Sequence, residues 1–114
     1  MKGFIVRQPW ADLILSGKKT WEIRSSNTNI RGTVGVVCEG KWIGTVVIDD
    51  SRILTPQDFE ENRDKHCVPA SREMKYKQPH AWILSNPVNF REPKDYHHKQ
   101  GCVIWVNLPD IERG

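Results

Sequence analysis

The stretch Ser16-Gly17-Lys18-Lys19-Thr20-Trp21-Glu22-Ile23-Arg24-Ser25 combines charges of both signs with the alternation of a partly buried strand. Successive side chains of a strand point to opposite faces, so Thr20, Glu22 and Arg24 share one face. Lys19, at the start of the strand, can reach the same face through a small twist or bulge. The residues of the other face, which we expect to anchor in the core, are Trp21 and Ile23. The spacing therefore predicts a Lys, Glu and Arg constellation at the mouth of a cleft, with a solvated face of cross-strand ion pairs as the alternative.

A short helix is predicted immediately before this strand. Pro9 suits a first helical position, and Gly17 is typical of the residue that follows a helix end. Between them, Trp10, Leu13 and Ile14 recur at helical spacing and give the helix one apolar face. The helix therefore leads directly into the charged strand.

The pattern Gly17-x-Lys19-x-x-Glu22-x-Arg24, placed between this helix and the strand, resembles the GxKxxExR signature of the ASCH domain, a relative of the PUA domain. The resemblance covers most of residues 3–108, and we interpret residues 1–114 as a single domain of this type. It implies an α+β fold, a small PUA-like and partly open β-barrel with a cleft, and a connection with RNA or modified nucleosides.

Some small bacterial ASCH proteins are hydrolases that deacetylate N4-acetylcytidine, and the resemblance extends to them. The signature lysine of those enzymes is catalytic and corresponds to Lys19, whereas they have a threonine where this chain has Glu22. A further catalytic glutamate comes from a segment between later strands. The glutamates of this chain in that region are Glu60, Glu61 and Glu73. The candidate catalytic residues are therefore Lys19 and Glu22.

Strand composition recurs along the chain, in β-branched and aromatic runs that turn residues separate. The predicted strands are Phe4 to Arg7, Thr20 to Ser25, Thr33 to Cys38, Trp42 to Asp49, Ala81 to Leu84 and Val103 to Leu108. Glu39-Gly40-Lys41 predicts a tight hairpin, because glycine supplies the positive φ that such turns need. Six short strands with short flanking helices are typical of a small barrel.

A second helix is predicted after the fourth strand. Thr55 suits a capping residue, Pro56 a first helical position, and Asp58 the acidic residue of a capping box. The helix should run to about Lys65. Because Phe59 is its one large apolar residue, we expect the helix to bury little and to lie across the outside of the barrel.

The segment Lys75-Tyr76-Lys77-Gln78-Pro79-His80-Ala81-Trp82 interleaves cations with aromatic rings. This combination lets a protein hold phosphate while a base stacks on a ring. Lys75, Tyr76 and Trp82 are therefore candidate ligand-binding residues, with a core position as the equal alternative for Trp82. Trp10 is a further candidate for the ligand site. The tryptophans that we assign to packing are Trp21 and Trp105.

A polar turn, Asn27-Thr28-Asn29-Ile30-Arg31-Gly32, follows the charged strand. The Asn27 amide and the Arg31 guanidinium could read the edge or the phosphate of a nucleotide. For Asn27 and Asn29, ordinary turn chemistry is the favoured alternative, because asparagine side chains bond to nearby backbone groups. Arg24 completes the set of predicted ligand-binding residues.

Composition restricts the partner. The net charge is +3 and the sequence pI about 8.9, which favours an anionic ligand but falls short of the basic surface of a protein that holds long duplexes. A chain of 114 residues can fold without a partner, so we expect a monomer. No apolar run suits a membrane span or a signal peptide, and we therefore expect a cytoplasmic protein with no membrane partner.

The cysteines and histidines do not form a recognisable metal or disulfide motif. Cys38, Cys67 and Cys102 are far apart, which makes a disulfide framework an unfavourable interpretation. A zinc site could draw on His66, Cys67, His97, His98 and Cys102, but these residues lack the close paired spacing of structural zinc sites. No metal and no cofactor is predicted.

Three hypotheses for function use the same residues. In a binding module, Lys19 and Arg24 contact phosphate and Glu22 pairs with Arg24 or accepts from a base amine. In an amidohydrolase acting on N4-acylated cytidine, Lys19 or Glu22 takes a proton while Arg24 orients Glu22 or binds phosphate. A metal-independent ribonuclease would use the lysine and the glutamate as acid and base. We favour binding of RNA or of a modified nucleoside or nucleotide.

Overall fold

A computed structural model describes residues 1–72, 75–98, 101 and 104–110 of the chain. Its elements are β1 (Lys2–Ile5), α1 (Trp10–Leu15), β2 (Trp21–Arg24), β3 (Gly32–Cys38), β4 (Lys41–Ile53), α2 (Pro56–Glu61), α3 (Arg63–His66), β5 (His80–Lys94) and β6 (Trp105–Asn107). The six strands form one mixed sheet in the order β2-β5-β4-β3-β1-β6. β1 and β3 are parallel, and the other neighbours are antiparallel. The predicted α+β fold of six strands and short helices is confirmed.

The sheet is open in hydrogen bonding but strongly curled. β2 lies at one edge, yet Nη2 of Arg24 donates to the backbone oxygen of Ile5 in β1 at 2.7 Å. Trp82 of β5 stacks on Trp105 of β6, with ring centroids 5.3 Å apart. Strands that are distant in the sheet order therefore meet across an apolar interior, as in a partly open barrel.

The β3–β4 hairpin forms as its sequence predicts. Cys38 pairs with Lys41, and Glu39 and Gly40 between them have φ values of 52° and 79°. Two successive residues with positive φ give the turn type whose twist matches that of paired strands. The turn thus fixes the register of β3 and β4.

β5 is much longer than its predicted segment Ala81 to Leu84, and β4 continues beyond Asp49 to pair with it. The longer strand includes Pro87 and Pro93, and proline cannot donate a hydrogen bond to a neighbouring strand. The β4–β5 register shifts in both places, between Thr45 and Val47 and between Trp42 and Gly44. Bulges there leave both prolines without a required ladder bond.

Other boundaries differ by a few residues. β1 lies two residues before its predicted segment, since Lys2–Ile5 pairs with both β3 and β6. β6 is shorter than predicted at both ends, and Val103 lies outside the described residues. Pro9 precedes α1 rather than forming its first residue, and Gly17 ends the helical segment with a φ of 83°.

The predicted second helix is divided in two at Asn62, whose side chain donates to the backbone oxygen of Asp58. The capping box of Thr55 and Asp58 forms with both of its hydrogen bonds. The pair of helices buries more than predicted. Phe59 packs with Trp21, Leu54 and Ala81 in a second apolar cluster, and the His66 side chain is fully buried.

The main core lies between α1 and the concave face of the sheet. Ala11, Ile14 and Leu15 of α1 pack against residues of several strands, among them Phe4, Val36 and Trp82. At Gly44, an added Cβ would lie 2.3 Å from the backbone oxygen of Val88 and 2.8 Å from Leu15. Glycine at this position therefore permits the close approach of β4, β5 and α1.

Candidate functional site

A cleft of about 430 Å³ opens beside β2 and the end of β1. It is bounded by charged residues of β2, by Ile5 of β1 and the following Arg7, by aromatic rings, and by the segment that precedes β5. The lining residues are Ile5, Arg7, Trp10, Lys19, Glu22, Ile23, Arg24, Phe59, Val68, Arg72, Lys75 and Tyr76. Its size is that of a small-molecule site.

Lys19 lies between the end of α1 and the start of β2, and its side chain is only 2% exposed. Its Nζ donates to the backbone oxygen of His66 at 2.5 Å and lies 3.7 Å from Oε1 of Glu22. The ammonium also lies 5.0 Å from the centre of the Trp10 ring. Burial lowers the pKa of Lys19, and the attraction of Glu22 opposes that effect without cancelling it.

Glu22 lies between two cations. Nε of Arg24 donates to Oε2 of Glu22 at 2.9 Å, and Nη2 of Arg24 lies 2.8 Å from the same oxygen. The other carboxylate oxygen faces Lys19. Arg24 itself lies over the rings of Phe4 and Trp82, 5.7 Å and 5.2 Å from their centres. The period-2 spacing of β2 thus brings Glu22 and Arg24 together, with Lys19 beside them.

α3 holds Lys19 in position through its end. The backbone nitrogen of Thr20 donates to the oxygen of Lys65, next to the bond between Lys19 and the His66 oxygen. The His66 ring is fixed as well: Nδ1 accepts from the backbone nitrogen of Val68, so Nε2 carries the proton and donates to the Phe59 oxygen. Burial lowers the pKa of His66, and nearby Lys19 and Arg63 act in the same direction.

Three aromatic residues line the cleft: Trp10 and Tyr76 are half-buried, and Phe59 is buried. Arg72 lies 5.7 Å from the centre of the Trp10 ring, and Lys75 lies 5.9 Å from that of Tyr76. Each of the two half-buried rings is therefore accompanied by a cation. This arrangement can hold a flat ligand by stacking while the cations attract its charge.

The structure brings six of the predicted site residues together at the cleft, namely Trp10, Lys19, Glu22, Arg24, Lys75 and Tyr76. Asn27 and Arg31 are not among the described residues that line it. Asn27 donates to Asn29, and Arg31 donates to the backbone oxygens of Thr28 and Ile30 and lies 3.5 Å from Asp50. These contacts organise the turn itself.

A surface stacking role for Trp82 is corrected by the structure. Its side chain is 1% exposed, its indole nitrogen donates to the Ser26 oxygen, and its ring packs on Phe4 and Trp105. Trp82 therefore belongs to the core, where its ring packs against the Arg24 guanidinium. Trp21 is also buried, as predicted.

The candidate glutamates of the later segment lie away from the cleft or outside the described residues. Glu60 pairs with Arg63 and Glu61 accepts from Gln57, both on the exposed side of α2, and neither is among the described lining residues. Glu73 and Cys102 lie outside the described residues. In the described part of the chain, no three His, Cys, Asp or Glu residues are grouped so that they could hold a metal ion.

Sequence reasoning missed two cations of the lining, Arg7 and Arg72, and the backbone oxygen of His66. Arg7 directly follows the apolar run Phe4-Ile5-Val6, and this change from apolar to charged residues was the local signal available for it. Arg72 stands three residues before Lys75 and therefore just outside the basic segment that the sequence analysis singled out. A backbone oxygen that meets Lys19 from 47 positions away leaves no local signal.

None of the helices in the described ranges is long and apolar enough to cross a membrane.

A sequence model of the ASCH domain matches residues 4–94 of the chain. A comparison with the curated proteins finds no match.

Solved structures of ASCH proteins share the fold. The ASCH protein of Zymomonas mobilis superposes with a TM-score of 0.70 at 14% identity, over 82% of this chain and 72% of that one. A serine-to-alanine variant from the same organism gives a TM-score of 0.75 at 13% identity, over 95% and 87% of the two chains. A tyrosine-to-phenylalanine variant gives 0.67 at 15% identity, over 82% and 74%. At such low identity the likeness extends to the fold alone.

Proposed function

Because the chain belongs to the ASCH domain family, which is associated with RNA and nucleotide binding, we propose that the cleft binds a nucleotide of RNA or a modified nucleoside or nucleotide. The base lies between the aromatic rings of the lining, and phosphate is held at the cationic rim. Lys19, Glu22 and Arg24 form the polar floor.

The charge of the lining carries this proposal. Five cationic side chains, Arg7, Lys19, Arg24, Arg72 and Lys75, line the cleft, and Glu22 is the one carboxylate among the described lining residues. Because Glu22 is already paired with Arg24 and Lys19, the excess of cations is left to attract an anion. A nucleotide satisfies both the charge of the rim and the aromatic walls.

The buried carboxylate supports recognition of a base rather than of phosphate alone. A carboxylate accepts hydrogen bonds, and the exocyclic amine of a base is a suitable donor. Arg24 holds Glu22 through a bond to one oxygen, so the carboxylate has a fixed orientation before a ligand enters. Glu22 at the floor then recognises the base amine, and the cations of the rim bind the phosphate of the same ligand.

Calorimetric titration with a six-nucleotide RNA of mixed sequence tests the proposal. Arg72→Gln removes a cation of the rim. Arg91→Gln removes a cation on β5 that is also exposed but does not line the cleft. We expect Arg72→Gln to weaken binding and to lower the salt slope of the affinity by about 0.7, the value for one contact with a single strand. Equal affinity and slope for the two variants would contradict the proposal.

A second candidate function, hydrolysis of an N4-acyl group on cytidine, is favoured by the lowered pKa of Lys19. A lowered pKa makes it easier for Lys19 to lose its proton, and the free amine can then take a proton from water as the water attacks the acyl carbon. The bond to the cytidine nitrogen breaks as the lysine returns that proton to the nitrogen. Arg24 is placed to stabilise charge that develops on the acyl oxygen.

Incubation with N4-acetylcytidine, followed by chromatography and mass spectrometry, tests the second candidate. Release of cytidine and acetate by the wild type but not by Lys19→Met supports it, and no release contradicts it. The same assay with the six-nucleotide RNA detects strand cleavage, the outcome that a ribonuclease would give.

A further inference from the structure

A second and more open depression adjoins the cleft. Its lining residues are Ser25, Lys75, Tyr76, Lys77 and Gln78, and it shares Lys75 and Tyr76 with the cleft. Ser25 directly follows Arg24 at the end of β2, so the second depression begins where the polar floor of the cleft ends. The two depressions form one groove past the end of the edge strand.

The chemistry of the second depression differs from that of the cleft. It has two lysines, Lys75 and Lys77, and none of its described lining residues is a carboxylate. Both lysines are exposed, and within the described ranges neither is in an ion pair. Such a surface attracts phosphate but offers no acidic group to a base amine.

Tyr76 connects the two parts. It is half-buried, lines both depressions, and has the Lys75 ammonium 5.9 Å from its ring centre. A ring in this place can support a base on the cleft side or a base next to it in the strand. The lysines on either side of Tyr76 in sequence are then close to the phosphates that flank that base.

We infer that the site takes a single-stranded RNA of at least two nucleotides, with one nucleotide in the cleft and the phosphate of its neighbour at Lys75 and Lys77. This inference rests on the proposed function and names the ligand class of the same site. A free nucleoside would leave the second depression unused. A duplex would keep its bases stacked away from a cleft of this size.

Binding measurements with ligands of different length test the inference. NMR titrations of the four nucleoside 5′-monophosphates and of the six-nucleotide RNA are made for the wild type and for Lys77→Gln. Lys77 lines the second depression and not the cleft. Lys41→Gln is the control, because it removes an exposed lysine of the β3–β4 hairpin that pairs with Asp95 and lines neither depression.

We expect Lys77→Gln to weaken binding of the RNA severalfold, to lower its salt slope by about 0.7, and to leave mononucleotide binding unchanged. If Lys77→Gln and Lys41→Gln bind the RNA equally well, the second contact is wrong, while the proposed function stands. If Arg72→Gln also leaves both ligands unaffected, the proposed function fails together with this inference.

Discussion

Nζ of Lys19 lies 3.7 Å from Oε1 of Glu22, and the two side chains are only 2% and 6% exposed. Arg24 contacts the other oxygen of the same carboxylate, so one buried anion is paired with two cations. A buried charge loses hydration that its partners must replace. The three residues are therefore interdependent, and replacing them one at a time should have very different effects on stability and on binding.

Replacing Lys19 with methionine should separate binding from folding. The substitution keeps the length of the buried stem and removes an ammonium whose burial is unfavourable, as its lowered pKa indicates. We expect the free energy of unfolding to change by less than about 2 kcal/mol, because the lost contacts are offset by the lost desolvation. RNA affinity should fall about tenfold or more, which corresponds to one hydrogen bond to a charged group.

Lys18→Met is the control for this variant, because the neighbouring Lys18 is exposed and carries the same charge. Denaturant unfolding and calorimetric titration of both variants give the two quantities. If Lys19→Met keeps its RNA affinity, or if Lys18→Met loses the same affinity, Lys19 has no specific role in binding.

Replacing Glu22 with glutamine should instead destabilise the fold. The variant leaves the buried Lys19 and the partly buried Arg24 without their shared anion. Removal of one partner from a buried pair costs about 3–5 kcal/mol, and we expect a loss in this range. Denaturant unfolding of the double variant Lys19→Met/Glu22→Gln checks the cause. It should recover part of the loss, and additive effects of the two substitutions would refute the coupling.

Local chemistry explains which parts of the fold could be predicted from sequence. The hairpin at Glu39 and Gly40 and the capping box of Thr55 and Asp58 depend on residues within a few positions of one another. The same holds for Glu22 and Arg24, whose pairing follows from the two-residue period of β2.

Long-range contacts explain what could not be predicted. β5 passes Pro87 and Pro93 because β4 supplies a partner on which bulges can form. Lys19 donates to the backbone oxygen of His66, and Arg72 lies near the Trp10 ring. Both contacts join residues that are far apart in the sequence, so no local pattern predicts them. Trp82 could be assigned to the core only when its neighbours Phe4 and Trp105 were placed.

Two tryptophans should respond oppositely to truncation. Trp82 is buried in the main core, so Trp82→Ala should lower the free energy of unfolding by about 3–5 kcal/mol. Trp10 is half-buried at the cleft, so Trp10→Ala should cost less stability and weaken RNA binding by about 1–3 kcal/mol, the contribution of one stacked base. Thermal unfolding and titration of the folded fraction measure both effects. A larger loss of stability in Trp10→Ala than in Trp82→Ala would reverse the assignment.

His66 should make the fold less stable in mild acid. Its pKa in the folded protein is below the ordinary value of 6.5, so between 6.5 and that lower pKa the unfolded chain binds a proton that the folded protein does not. Stability should therefore fall as the pH decreases through this window, by at most about 1.4 kcal/mol per pH unit for one proton.

His66→Asn is the comparison for this pH dependence, because its amide oxygen can replace Nδ1 as the acceptor for the Val68 nitrogen but does not titrate in this window. Unfolding free energies of both proteins are measured at intervals below pH 6.5. The difference between them should shrink as the pH falls. A constant difference would show that His66 does not titrate as its burial implies.

The indole N–H signals of the tryptophans during an RNA titration test the cleft most directly. Trp10 lines the cleft, whereas Trp42 does not line it. The Trp42 side chain is buried in a different apolar cluster, and its indole nitrogen donates to the Gly44 oxygen. With the six-nucleotide RNA, the Trp10 signal, assigned through Trp10→Phe, should shift progressively while the Trp42 signal stays in place. A Trp10 signal that does not move at RNA concentrations where other signals saturate would place the binding site elsewhere on the protein.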